Sequence, residues 1–162
     1  SQVESTAISL FVSMLVLVLL TRRLGQSLVV ILPVGLAGAW VVGAMAMLGI
    51  NWNVLTIMIT ALTIGLGIDY SIHVWRRIEA NRSSGMGTWE AMRDMYSTTG
   101  TALLLSAGTT ICGFMVLLLS PIPVIQDFGI VSSISVLFSL VMALLVLPGL
   151  LAAEFRTSGD YT

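Results

Sequence analysis

The chain has 162 residues, of which 57% are hydrophobic and only 9% charged, with a formal net charge of −1. Its mean hydropathy is +1.02. A soluble domain carries about 25% charged residues, so this chain lacks the polar surface to coat a globule in water and reads as an integral membrane protein. No basic patch marks a nucleic-acid surface, and the single Cys112 excludes an intrachain disulfide. No cofactor and no metal site are expected.

A helix that crosses a bilayer takes about 20 mostly apolar residues. Five segments meet or approach that length, at about 5–21, 28–50, 54–75, 98–119 and 124–153. They predict an all-α fold, a polytopic transmembrane helical bundle in which 1–162 form one domain. The first span is short and starts almost at the chain's first residue, as expected of a domain cut from a longer protein. No basic residues precede it, which argues against a secretory signal. Pro33 falls in the first turns of the second span. Gly35, Ala39 and Gly43 are spaced by four, as are Ala61 and Gly65, and Gly67 and Ser71. Small residues at this spacing let helices approach closely where lipid supplies no hydrophobic drive.

The longest connection, 76–97, follows the third span. Within it Trp89, Met92, Met95 and Tyr96 recur at helical spacing, with Glu90, Arg93 and Asp94 on the other face. This predicts a short amphipathic helix over 88–97, lying at the inner membrane surface or packed on the bundle. Pro121 and Pro123 mark a tight turn between the fourth and fifth spans, and Pro148 bends or ends the fifth. Cys112, in an apolar stretch of the fourth, reads as a small buried hydrophobe.

The arginines order the topology. Arg22 and Arg23 lie between spans one and two, Arg76, Arg77, Arg82 and Arg93 between spans three and four, and Arg156 after span five. The connections around Gly49–Asn53 and Ser120–Asp127 carry no Lys or Arg. All the basic residues therefore share one side of a five-span alternation, which the positive-inside rule assigns to the cytoplasm of a cell-membrane protein. The N-terminus is expected outside and the C-terminus inside.

One carboxylate stands out. Asp69, in GLGIDYSIHVWRR, lies seven residues before Arg76, or about 10 Å inside the boundary at 1.5 Å per residue. An ionised Asp near a helix centre costs roughly 2.5–3.5 kcal/mol even on the lenient insertion scale. Two readings account for it: an ion or proton site, or a satisfied Asp that fixes helix packing. On a helical wheel Leu62, Gly65, Asp69, His73 and Arg76 share one face, and Thr56, Thr60, Thr63, Gly67 and Tyr70 another. The second is a small, weakly polar stripe suited to close helix contact. His73, one turn from Asp69, is a relay or a mark of the interface. In the fourth span Ser106 and Thr109 lie about 14 and 18 Å deep, so that Ser106, Thr109 and Thr110 are candidate hydrogen-bond partners for Asp69. Ser132, Ser135 and Ser139 form a polar face on the fifth span. It lines a wet path or bonds its own backbone. No basic residue lies at membrane depth. A hydrolytic enzyme is disfavoured because the one His has no evident nucleophile beside it.

These pieces together are recognisable. GLGIDYSIHVWRR, then TGTALLLSAGTTICGF, LSPIPVIQDFG and a late LP resemble the resistance–nodulation–division (RND) superfamily, above all its MMPL-like, hopanoid-exporter-like and Patched-like branches. In that pattern a Gly-rich Asp-Tyr motif is followed by Ser-Ala-x-Thr-Thr-x-x-Gly-Phe, here Ser106, Ala107, Thr109, Thr110, Gly113 and Phe114. The resemblance implies that the five spans are helices two to six of a six-helix half. It implies proton-driven export of lipids or other hydrophobic compounds, with Asp69 as the protonation site, Tyr70 beside it, and His73, Ser106, Thr109 and Thr110 as candidate relay residues. The implied partners are the bilayer, a hydrophobic or lipid substrate, and the second half and extracytoplasmic domain of a full-length transporter. Many drug-efflux members have a second Asp where this chain has Tyr70, which favours the lipid-exporting branches. The alternative is a lipid-binding regulatory module like the sterol-sensing domain, which shares the five-helix shape.

Overall fold

The structure is a computed structural model that describes residues 24–50 and 54–157. The expected first span, 5–21, and the Arg22–Arg23 pair lie outside the described residues. The described chain is helical throughout, in the order α1 (Leu24–Leu48), α2 (Val54–Ser83), α3 (Thr88–Met95), α4 (Thr101–Met115), α5 (Pro123–Val141) and α6 (Leu147–Thr157). Among the described residues four stretches are long and apolar enough to cross a membrane: Ile31–Leu48, Met58–Ser83, Thr88–Leu119 and Pro123–Ala153. They overlap the expected second to fifth spans, the second and third of them with ends shifted by about eight to ten residues on the arginine-bearing side.

The helix ends follow local chemistry. Gly49 closes α1 at φ 67°, and Ile50 donates its N–H back to the Met45 carbonyl at 3.1 Å. Only a residue tolerant of left-handed backbone allows this wrap-around cap. The same device ends α2, where Gly85 has φ 92° and Met86 N donates to Asn81 O at 3.2 Å. Pro33 lies inside α1, because that helix starts at Leu24. α2 has 30 residues and is about 45 Å long. A hydrocarbon core of about 30 Å leaves its arginine-bearing end in water. The expected connection 76–97 is thus mostly helix, and only Ser84–Gly87 is a turn.

Segment 88–97 is not a detached surface helix. α3 runs through a π-turn, Tyr96–Gly100, directly into α4, and α4 into a 3-10 turn, Val116–Leu119. Ala91, Met92 and Met95 of α3 are buried against the bundle. A second π-turn, Met142–Val146, links α5 to α6, so Pro148 does not end the last span. Proline has no N–H and leaves a carbonyl one turn back without its usual donor. Here that carbonyl belongs to Leu144, and the Tyr96 hydroxyl donates to it at 2.6 Å. The two irregular turns are therefore fastened to each other.

α5 is the central helix and packs on α1, α2 and α4, whereas α2 lies between α1 and α5. The larger core gathers Tyr70, Val74 and Ile78 with Met95, Leu103, Val136, Leu140 and Leu147. A smaller one, toward the other end, holds Val41, Met45, Ile59 and Val131. The stripe of α2 read from the sequence as a close-contact face meets the serine face of α5 here. Thr63 shares a hydrogen bond with Ser135, and Ser139 Oγ donates to Thr63 O at 3.4 Å. A Cβ on Gly67 would stand 3.2 Å from Val34. The serine face of the last span is thus buried helix contact: Ser132, Ser135 and Ser139 are all at most 1% exposed. Gly129 marks the closest approach of α5 to α4, where a Cβ would fall 2.7 Å from the Phe114 carbonyl oxygen. The rings of Phe114 and Phe128 meet edge-to-face alongside, with centroids 6.0 Å apart. Phe114 of one motif and the Phe128–Gly129 pair of the next are two sides of one helix contact.

Candidate functional site

The Asp69–Tyr70 pair is split by the fold. Consecutive helical residues are about 100° apart, and α2 turns Tyr70 into the core at 5% exposure while Asp69 faces out of the bundle. Of the face expected to carry the titratable groups, Gly65, Asp69, His73 and Arg76 are exposed and Leu62 is half-buried. Asp69 makes no hydrogen bond or ion pair among the described residues. His73, one turn away, is also exposed.

The candidate partners on α4 are not brought to it. α4 packs on α5 rather than along α2. Ser106 and Thr109 are exposed and Thr110 is half-buried. The hydroxyls of Thr109 and Thr110 both donate to the Ser106 carbonyl, at 2.8 and 2.9 Å. Cys112, expected inside, is exposed on the same helix. Within this bundle, then, Asp69 of one motif and Ser106 and Thr109 of the other point away from the core.

A second polar cluster was not foreseen. At the arginine-bearing end Arg77 holds Asp94 through Nε at 2.9 Å and Nη2 at 2.8 Å. Asn81 Nδ2 donates to the same Asp94 oxygen at 2.7 Å and contacts Ala91 O at 3.3 Å. The Asn81 hydrogen bond, aided by the Arg77 guanidinium, holds the Asp94 carboxyl below its ordinary range, despite some loss of hydration. The cluster ties the foot of α2, two turns beyond Asp69, to α3. The sequence signalled only an Asp on the polar face of 88–97; which arginine it meets depends on how α2 and α3 cross.

No group of three or more His, Cys, Asp or Glu side chains that could hold a metal occurs among the described residues. The described residues form an all-helical bundle with Asp69 on an outward face of α2. The MMPL family pattern matches residues 2–157, and the chain belongs to that family. It is 35% identical over 156 residues to membrane protein MJ1562 of Methanocaldococcus jannaschii, a match covering 96% of this chain and 40% of that protein. It is 27% identical to "Probable transport protein MmpL4" of Mycobacterium leprae, over 96% of this chain and 17% of the relative. Similarity to protein patched homolog 1 of Danio rerio is 28% identity over 78% of this chain and 11% of the relative. The chain thus spans two-fifths or less of the length of these relatives. The RND resemblance, in its MMPL- and Patched-like branch, is what these matches show. The family is one of membrane transporters rather than enzymes.

Proposed function

We propose that the chain is the membrane module of a proton-driven exporter of lipids or other hydrophobic compounds, in which Asp69 couples proton movement to transport. The observation that carries this reading is the placement of Asp69 on an outward face of α2 with no partner among the described residues. An ionised carboxylate left facing lipid at that depth costs roughly 2.5–3.5 kcal/mol or more. The relatives are more than twice as long as this chain, which supports a second half that covers this face. The exposed Ser106 and Thr109 on α4 would then meet groups of that half, so that the relay is completed between halves. Taking up a proton removes the charge and the demand for polar partners, and α2 then shifts against its cover. Two states with different affinity for the proton are what a coupled transporter requires. The arginine-bearing side is assigned to the cytoplasm.

The test is Asp69→Asn in the full-length transporter. Asn is nearly isosteric and hydrogen-bonds, but it cannot ionise. Insertion and folding are expected to survive, because a desolvation cost disappears, while gradient-driven export is lost. Near-normal proton-dependent export by the variant would overturn the reading. It would favour the lipid-binding regulatory module, which the similarity to patched homologs keeps as the second reading.

A further inference from the structure

We propose that the groove between α3 and the last span is a binding site for an anionic phospholipid of the leaflet on the arginine side. This rests on the membrane reading above, but not on transport.

The groove has a volume of about 460 Å³, within the roughly 300–1,000 Å³ range of small-molecule sites. Trp89, Met92, Arg93 and Tyr96 form one wall, and Leu145 and Gly149 stand on the other. Its shape has a covalent origin. Pro148 interrupts the hydrogen-bond ladder, and the next residue, Gly149, has no side chain, so nothing fills the space opposite α3. The walls are braced on both sides. The Tyr96 hydroxyl is bonded to Leu144 O, and Asp94, on the other flank of α3, is bonded to Arg77 and Asn81. The groove is therefore preformed rather than opened by its occupant.

Its chemistry names the occupant. Trp89 is 77% exposed and Leu145 64%, so the walls present apolar surface that water does not favour. Trp and Tyr are the side chains enriched where hydrocarbon meets headgroups. Among the described residues the single charge in the groove is Arg93, which is exposed and has no carboxylate within ion-pair distance. Arg77, by contrast, is already neutralised by Asp94. An unspent guanidinium at the mouth of an apolar groove matches a molecule with a phosphate at one end and acyl chain at the other. Arginine presents a donor fork suited to phosphate oxygens. A free aqueous anion would have no use for the apolar walls.

Lipid-resolved quenching of Trp89 tests this. The full-length protein is placed in phosphatidylcholine nanodiscs that carry a minor fraction of dibrominated phosphatidylglycerol or, separately, dibrominated phosphatidylcholine. Subtracting the emission of Trp89→Phe isolates Trp89 from the other tryptophans. The expected result is a preference of about fivefold for the anionic quencher, the ratio that one close arginine–lipid charge contact supports. Arg93→Gln is expected to bring the preference to one, and Arg82→Gln to leave it unchanged. Equal quenching by both lipids would overturn the proposal. So would a preference lost equally in both variants, which would mean general surface charge. Displacement by inorganic phosphate at matched ionic strength would identify an anion site instead, and absence of quenching by either lipid would mean that protein covers the groove. The readout needs no transport, so an Asp69→Asn protein that still exports normally and keeps the preference overturns the coupling reading alone.

Discussion

Gly129→Ala separates close helix packing from mere tolerance of small residues. The added Cβ would fall 2.7 Å from the carbonyl oxygen of Phe114 and 3.0 Å from the Leu117 Cβ, whereas ordinary contact begins near 3.4 Å. The nearer atom is backbone, so it cannot rotate aside as a side-chain end would. α4 and α5 must therefore part by about 0.7 Å at this point. That movement loosens the Phe114–Phe128 edge-to-face contact and the neighbouring packing. Overpacking of this kind costs about 1–3 kcal/mol, and the better helix propensity of Ala returns at most about 1 kcal/mol. The net expectation is a loss of up to about 2 kcal/mol, or a few degrees in Tm for a chain of this size. Gly108→Ala is the control, since a Cβ there meets nothing within 4 Å and only the propensity gain remains. Thermal unfolding of both variants in detergent, followed by tryptophan emission, makes the comparison. If Gly129→Ala melted at or above Gly108→Ala, the close approach of α4 and α5 would be wrong.

Two further expectations concern the arginine-bearing end. Because the folded-state carboxyl of Asp94 lies below its ordinary value of 3.8, its contribution is fully present above that value and is lost as pH falls through the lower, folded one. Amide exchange over 84–95 is therefore expected to be flat from pH 7 to about 4 once corrected for intrinsic rates, and to accelerate only below that. Both partners are partly exposed, so this is local opening rather than unfolding; a midpoint near pH 6 would implicate another group. For topology, a cysteine placed at Ser83 in the full-length protein is expected to resist membrane-impermeant reagents added outside intact cells, and labelling from outside would reverse the orientation.

Much of the architecture was legible in the sequence. The apolar runs and the one-sided arginines defined spans two to five, because a bilayer admits only helices of a narrow length and charges must leave it. The close-contact stripe of Thr63, Gly67 and Tyr70 followed from helical geometry alone. Direction was another matter. On a soluble helix the polar face meets water, so a wheel tells inside from outside. In a membrane a polar stripe turns either toward its own bundle or toward another protein element, and the two look alike on a wheel. The serines of the last span turned inward onto Thr63, whereas Asp69, Ser106 and Thr109 turned outward. The same limit applied at the foot of the bundle. Several arginines near residues 76–93 were equivalent as sequence, and only the crossing of α2 and α3 decided that Arg77 would hold Asp94 while Arg93 has no ion pair among the described residues. Pairing depends on distances of a few ångströms between segments far apart in the chain, which only the tertiary packing of the helices sets.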